Sequence, residues 1–437
     1  MRSFEDLIHD VQERNLCHMC GGCVTFCTAI NYGALELGEN GYPRYKDKEK
    51  CIECGICHML CPEIDELDDE IKKHAGWSEP AGRIVSANIV RARDPQVRDR
   101  ATDGGAVTGI LMHLLDTGRI DSAIVSKHVG LFNREPYLAC SKEDILAACG
   151  SYFDASHGMV LYSEYYSTYS PSVHALGTVK KIGAQKVAFV GTPCQIVTLR
   201  KMQALGVVPS DAIYCLLGLF CSGNFAFDDN SRKRLEKIGD FKWSDVKKIN
   251  IKGRMYVYLQ NGAIHTLPLD ELDFIKRHAC RYCEDYTAEF ADLSFGGIGA
   301  EEGWTTVFSR TQLGLDILNN AERSILESYS KHQPPRDQEE NRVRNRMLEL
   351  RRQIKHLKYA QQTSGEADGA DPEYQGLVNE LKELEQKHPE IGHRPEQPSA
   401  SGYTRNTLNR VLEKSVEKRG SSQANRAELA KTEHLEA

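Results

Sequence analysis

Two runs of four cysteines with identical spacing constrain this chain more than any other feature. The first is Cys17-His18-Met19-Cys20-Gly21-Gly22-Cys23-Val24-Thr25-Phe26-Cys27. The second is Cys51-Ile52-Glu53-Cys54-Gly55-Ile56-Cys57-His58-Met59-Leu60-Cys61, followed by Pro62. Both read C-x2-C-x2-C-x3-C. Steps of two residues make a tight loop that can wrap its amides around a compact inorganic core while three thiolates reach it. The step of three carries the fourth cysteine too far along the following helix to complete the same set. Gly21, Gly22 and Gly55 suit a backbone that must pass close to such a core.

This spacing, with its trailing proline, is that of bacterial-type ferredoxins, and it predicts two [4Fe–4S] clusters. In the ferredoxin arrangement the fourth cysteine of each run ligates the other cluster. That arrangement puts Cys17, Cys20, Cys23 and Cys61 on one cluster and Cys51, Cys54, Cys57 and Cys27 on the other. CxxC pairs also bind structural zinc, but zinc takes four thiolates at a time and needs neither a third step nor a distant fourth ligand. Disulfides fit poorly, because the chain opens on MRSFEDLIHDVQERN, a charged amphipathic helix without a signal peptide. A reducing cytoplasm is therefore expected, with any membrane association made through a partner.

The 437 residues allow two to four domains. The longest apolar run, Ala212 to Cys221, is about ten residues and far short of a membrane span. A formal charge of −7 leaves no basic footprint for nucleic acid. Seven cysteines remain outside the two runs: Cys140, Cys149, Cys194, Cys215, Cys221, Cys280 and Cys283.

Along the chain, residues 1–75 read as the two-cluster unit and 76–96 as a connector. Residues 97–330 alternate helices with short apolar strands, the pattern of a mixed α/β core. Helices are expected at Thr108–Thr117 and Ile196–Leu205, and strands at Ile120–Ser126, Lys186–Val190, Asp292–Phe295 and Thr305–Ser309. Asn261-Gly262 is expected to turn a hairpin between Val246–Leu259 and Ala263–Leu267. In 331–390 the apolar residues Val343, Met347, Leu350, Ile354 and Leu357 form a heptad seam that Leu377, Leu381 and Leu384 repeat. That pattern predicts an antiparallel helical hairpin. Residues 391–437 read as a mobile tail with one short amphipathic helix at Tyr403–Lys418. The thin seams fit either a solvated appendage or a docking arm for a partner subunit.

Gly191-Thr192-Pro193-Cys194-Gln195 links an expected strand to an expected helix, where α/β folds offer free helix amides to a phosphate. Asp103-Gly104-Gly105-Ala106-Val107-Thr108 offers close backbone approach and a hydroxyl, but reads equally as a helix-capping turn. Cys280-x2-Cys283 with the scattered Cys194 and Cys221 reads as a metal set or as ordinary core thiols.

These segments, in this order, resemble one family. Asp103–Thr108, Val190-Gly-Thr-Pro-Cys194-Gln195, Gly218-Leu-Phe-Cys221, Cys280-x2-Cys283-x-Asp285-Tyr286-x4-Ala291-Asp292-Leu-Ser294 and the Gly303–Arg310 run together look like the beta subunits of coenzyme F420 hydrogenases and dehydrogenases. The likeness covers about residues 1–320, and includes a fused N-terminal ferredoxin unit like that of the input subunit of F420H2 dehydrogenases. It implies a flavoprotein that passes electrons between reduced coenzyme F420 and ferredoxin or a partner redox subunit. It also implies a third [4Fe–4S] cluster on Cys194, Cys221, Cys280 and Cys283, and FAD held by Asp103, Gly104, Gly105, Thr108, Gly191, Thr192, Pro193 and Gln195. No side chain is required as a general acid or base. Cys140, Cys149 and Cys215 are left as core thiols.

Two departures from the family pattern bear on the donor. Glu164-Tyr165-Tyr166-Ser167-Thr168 stands where many members carry a basic residue before Tyr169-Ser170-Pro171, and Cys221 is followed by Ser222 rather than Glu. Coenzyme F420 is anionic, so the first departure weakens F420 as substrate while leaving FAD and the clusters. A wiring subunit without a small-molecule substrate, or the same enzyme fed by ferredoxin or a partner's flavin, are the competing readings. No strand is followed by G-x-G-x-x-G, so a Rossmann dinucleotide site is not indicated.

Overall fold

Val187–Gly191 is buried along its whole length and Ile213–Leu219 along most of it, as befits strands covered on both faces. In this computed structural model they lie side by side in parallel at the centre of a nine-stranded sheet. From one edge the order is Leu326–Ser328, Ser86–Ala92, Thr305–Ser309, Leu293–Gly296, Ile213–Leu219, Val187–Gly191, Ser122–Gly130, Asn133–Ala139 and Ala155–Ser156. The four strands from Leu293–Gly296 to Ser122–Gly130 are mutually parallel. Antiparallel partners flank them on both sides. The structure describes residues 2–29, 32–38, 41–130, 133–150, 155–156, 184–207, 210–225, 229–251, 254–329, 372–387 and 400–436, with single residues between 343 and 357.

The sheet separates two apolar layers. One contains Ile110, Leu111 and Leu114 of the Ala106–Asp116 helix with Ile317, Leu318 and Ala321 of the Gln312–Ser324 helix. The other contains Ile196, Leu199 and Met202 of the Pro193–Ala204 helix, together with Phe26 and Leu60 from the cysteine-rich segment. The N-terminal segment therefore shares a core layer with the α/β sheet. The expected helices and strands of this region are present, shifted by no more than a few residues.

The Asn261-Gly262 turn forms, with Gly262 at φ +88°. It joins Arg254–Leu259 to Ile264–Pro268 in a separate three-stranded sheet. What reads in sequence as one long strand from 246 to 259 is two, Val246–Ile251 and Arg254–Leu259, paired antiparallel.

Two compact units make up the chain: Met1–Tyr329 with Thr404–Ala437, and Ser330–Tyr403. In the second, Val343 and Met347 pack on Leu381 and Leu384, closing the expected apolar seam. Arg346 pairs with Glu380 and Arg351 with Glu385. The tail departs from expectation most. Residues 400–436 form one continuous 37-residue helix, not a mobile segment with a short helix. From Thr404 onward it belongs to the same compact unit as the sheet. Its buried positions include Thr407, Val411, Ser415 and Ser422, a stripe at steps of four, four and seven. Three of those four are hydroxyl residues, so hydropathy carries little trace of the buried face.

Arg310, 2% exposed, ties this unit together. Its guanidinium donates to the Ala81 and Arg83 carbonyls, to Ser294 Oγ, and to both oxygens of Thr287. Burial lowers its pKa to about 10 against the opposing pull of Asp285 and Glu289. Arg310→Met should cost more than about 3 kcal/mol of unfolding free energy, because it strands several buried acceptors and removes one of the cations that face Asp285 and Glu289. Lysine, a single point of donors, should recover less than half. Urea unfolding of the variants beside the parent protein measures both.

Candidate functional site

The loops of the two cysteine runs each turn through a left-handed glycine, Gly21 at φ +81° and Gly55 at φ +75°. These turns let short helices, Gly22–Ala29 and Ile56–Met59, begin immediately afterwards. One small cavity is lined by Cys17, Cys20, Cys23 and Cys61. A second is lined by Cys27, Cys51, Cys54 and Cys57. Each gathers three cysteines of one run with the fourth of the other. Among the described residues no three His, Cys, Asp or Glu side chains converge as a mononuclear metal site requires.

The thiols are chemically suited to a cationic core. Burial pushes Cys17 and Cys57 up to about 12 and holds Cys23 and Cys61 well above the usual thiol range, and mutual repulsion adds to each. Four neighbouring thiolates cannot persist in such a site without positive charge between them.

The third candidate set also assembles. Cys194 opens the Pro193–Ala204 helix, Cys221 follows the strand Ile213–Leu219, and Cys280 lies in the short His278–Arg281 turn with Cys283 just beyond. Cys194 feels the charge of Cys221 and Cys283, and Cys221 that of Cys280 and Cys283. Burial raises Cys194 well above the usual range and Cys221 to about 12. Cys280 goes the other way, down to about 7. Burial would raise it, but a hydrogen bond from His18 and the charge of Arg277 prevail. The Asn224 amide also donates to its sulfur, at 3.2 Å.

Two connections join this set to the first run. One is a helix face: Cys194, Thr198 and Lys201 stand at i, i+4 and i+7 of the Pro193–Ala204 helix. Thr198 Oγ1 is 3.4 Å from Cys20 Sγ. Lys201, fully buried, donates to the carbonyls of Cys61 and Ile64 and pairs with Asp68 at 2.9 Å. The other connection is His18. Its backbone follows Cys17, its ring bonds Glu63 at 2.6 Å, and it also hydrogen-bonds Cys280. Burial opposes protonation of the ring, yet these partners raise its pKa to about 10. Arg277 braces the same loop by donating to the carbonyls of Cys17 and His18.

A cavity of about 370 Å³ opens at the carboxyl ends of the parallel strands. That is where open α/β sheets bind ligands, and the volume lies within the usual range of small-molecule sites, about 300–1,000 Å³. Asp103, Gly105, Thr108 and Thr192 line it, as does Cys221 of the third set. The other expected contacts do not line it. Gly104 is packed so closely that a Cβ would stand 2.8 Å from the Val90 carbonyl, and Gly191 would meet Phe189 at 2.4 Å. Gln195 turns back to accept from the Thr192 amide, forming a capping box with it, and Pro193 begins the helix. Asp103 accepts from Asn250 Nδ2 at 2.7 Å, so its carboxylate is committed to the three-stranded sheet. Thr108 Oγ1 donates to Cys149 Sγ, which lines the same cavity rather than the core. Cys215 is a core thiol and Cys140 is exposed.

Ser126, Asn224, Asn250, Tyr286 and Lys414 also line the cavity, and no local motif marks them as cavity residues. Tyr286 alone falls inside one of the family-like runs, between Cys283 and Asp292. Glu164–Pro171, the first departure from the family pattern, lies outside the described residues.

Two family models match. One, described as coenzyme F420 hydrogenase/dehydrogenase, beta subunit N-term, covers residues 88–162. The other, for the C terminus of the same beta subunit, covers residues 184–333. Coenzyme F420 hydrogenase subunit beta of Methanothermobacter thermautotrophicus is 36% identical over 252 residues, 56% of this chain and 83% of its own. The chain belongs to this family.

An F(420)H(2) dehydrogenase subunit of Methanosarcina mazei, another relative, is 26% identical over 318 residues, 70% of this chain and 82% of its own. Coenzyme F420-dependent sulfite reductase of Methanocaldococcus jannaschii is 30% identical over 342 residues, 73% of this chain and 48% of its own. A chain of the F420-reducing [NiFe] hydrogenase complex from Methanosarcina barkeri shares the fold, with a TM-score of 0.52, 24% identity, and coverage of 72% of this chain and 94% of that one. The relatives are F420-dependent oxidoreductase subunits, and this chain is an oxidoreductase-family protein of mixed α/β fold. Among the described residues no helix is long and apolar enough to cross a membrane.

If the Pro193–Ala204 helix clamps the first cysteine run, Lys201→Met should release it. Two buried carbonyls and Asp68 would lose their donor, at roughly 3 kcal/mol. Amide hydrogen exchange should speed up around Cys61–Asp68 and stay unchanged in the strand Ser86–Ala92. Unaltered protection at Cys61–Asp68 would show that the clamp is dispensable.

Proposed function

We propose that this chain is an iron–sulfur flavoprotein subunit that passes electrons between reduced coenzyme F420 and ferredoxin or a partner redox subunit. The observation that carries this reading is the contiguity of the sites. The cavity is walled by Cys221, the set containing Cys221 touches the first cysteine run through Thr198 and His18, and Cys23 of that run feels Cys57 of the second. F420 as donor rests on the activities for which the relatives are named, and ferredoxin or a partner protein as acceptor on the two N-terminal cysteine runs.

In this reading Cys17, Cys20, Cys23 and Cys61, then Cys27, Cys51, Cys54 and Cys57, then Cys194, Cys221, Cys280 and Cys283, would each hold a [4Fe–4S] cluster. Residues 1–75 would be the ferredoxin-like part. FAD, when bound, supplies the conversion of a hydride's electron pair into single electrons. The chain's own residues position and shield. Gly105 borders the cavity at the start of the Ala106–Asp116 helix, whose uncapped amides favour phosphate, and Thr192 borders it at the start of the Pro193–Ala204 helix. Leu111, Leu219 and Ile249 supply apolar wall that excludes water. No side chain is assigned as a proton donor or acceptor.

Anaerobic reconstitution should give about twelve irons per chain, from three four-iron clusters. Eight would remove the third cluster from the reading and leave the N-terminal pair. Cys280→Ser should lose one cluster's iron and retain the rest; full iron content in that variant would return the third set to core thiols. Extraction should yield FAD, since two loops that lead into helices, at Gly105 and Thr192, border one cavity and suit the length of a dinucleotide. FMN alone would assign one of those loops a purely structural role. Bleaching of the flavin by reduced coenzyme F420 tests the donor, and its absence with flavin present would favour ferredoxin or a partner's flavin instead.

A further inference from the structure

The Ala400–Glu436 helix lies beyond the segments that the family models match, yet from Thr404 onward it is built into the unit that holds all three cysteine sets. Its inward stripe is polar. Thr407 donates to the Gly299 carbonyl, Ser422 to the Tyr282 carbonyl at 2.5 Å, and Arg426 to Glu63. Arg419 pairs with Glu284 and Glu289. Lys414 lines the large cavity, and one turn later Lys418 enters the third cysteine set.

Lys418 is the unusual member. Its ammonium donates to the Cys221 carbonyl at 2.7 Å and the Asp285 carbonyl at 2.8 Å, and stands 3.7 Å from Cys283 Sγ. The side chain is half-buried, and its ammonium faces the two carbonyls, the cysteine sulfurs and the Asp285 carboxyl. Cysteines as ordinary core thiols would add no counter-charge to that of the Asp285 carboxyl. As thiolates around an iron–sulfur core they would carry a net negative charge beside it. One ammonium here does two things: it ties the helix to the backbone on either side of the set, at Cys221 and Asp285, and it places a fixed positive charge against the ligand sulfurs.

We infer that the C-terminal helix is an in-chain cap on the third cysteine set, and that Lys418 is the positioning residue through which it sets that cluster's reduction potential. The inference rests on the three-cluster reading above. Nearby positive charge favours the reduced, more negative form of a cluster, and hydrogen bonding and net charge are among the levers that set its potential. Lys418 therefore raises the potential of the cluster nearest the cavity.

The full-length protein is reconstituted anaerobically, and its clusters are titrated by redox potentiometry with EPR detection. Lys418→Met should keep twelve irons and shift one of three signals to lower potential, leaving the other two in place. Lys418→Arg, which keeps the charge, should restore most of that shift. Lys418→Gln, which keeps a donor without the charge, guards against a Met variant that fails to fold, and should shift the same signal. Loss of one cluster's iron in Lys418→Met with circular dichroism unchanged, and its retention in Lys418→Arg, would also support the cap. Twelve irons with all three potentials unmoved in both neutral variants would overturn it. Eight irons in the parent protein would instead remove the third cluster itself, a separate failure that the iron count alone reveals.

Discussion

One face of one helix joins the parts of this molecule. Cys194, Thr198 and Lys201 fall on the same side of the Pro193–Ala204 helix because of its 3.6-residue repeat, and each reaches a different part of the cysteine-rich architecture. Cys194 belongs to the set beside the cavity, Thr198 lies against Cys20, and Lys201 holds the Cys61 carbonyl. The opposite side packs Ile196, Leu199 and Met202 into the layer under the sheet. The register of the helix therefore fixes both the distance between two cysteine sets and their orientation to the cavity. Slipping that register would break all three contacts at once.

Buried positive charge is the second organising element. Lys201, Arg277, His18 and Lys418 all direct cationic groups toward loops that carry cysteines, and Arg310 and Arg419 serve the neighbouring acidic residues. Each is held by backbone carbonyls or carboxylates, so none is left uncompensated in a poorly solvated interior. Thiols pushed upward by burial and mutual repulsion are neutral by themselves. The surrounding cations make the same positions hospitable to anionic sulfur. The conflict between burial and charge at these sites is what distinguishes them from an ordinary core.

Much of the fold is legible from the chain. Val187–Gly191 and Ile213–Leu219 read as buried strands because nearly every position is apolar, and Thr305–Ser309 is found where its pattern puts it. The Asn-Gly turn works through Gly262, whose backbone most residues would resist. The C-terminal helix is where pattern and structure diverge most. Its buried face is Thr407, Val411, Ser415 and Ser422, small side chains that let the helix approach closely without leaving an apolar stripe. The hydroxyls also bond nearby carbonyls, so the contact is polar at both ends. Composition there matches a solvated tail, and only the surface it meets distinguishes the two.

The sequence by itself determined the thiol chemistry. Identical C-x2-C-x2-C-x3-C runs specify loop lengths and donor type through covalent geometry, which operates within a dozen residues. It also determined the alternation of strands and helices, because apolar periodicity is local. Tertiary structure decided which cysteines become neighbours across tens of residues: Cys61 with Cys17, and Cys194 with Cys221, Cys280 and Cys283. It decided that Gly104 and Gly191 serve packing while Asn250 and Tyr286 wall the cavity. It also brought Lys418, 135 residues beyond Cys283, against that sulfur. Such meetings depend on sheet order and on the packing of layers, and no local pattern of side chains encodes them.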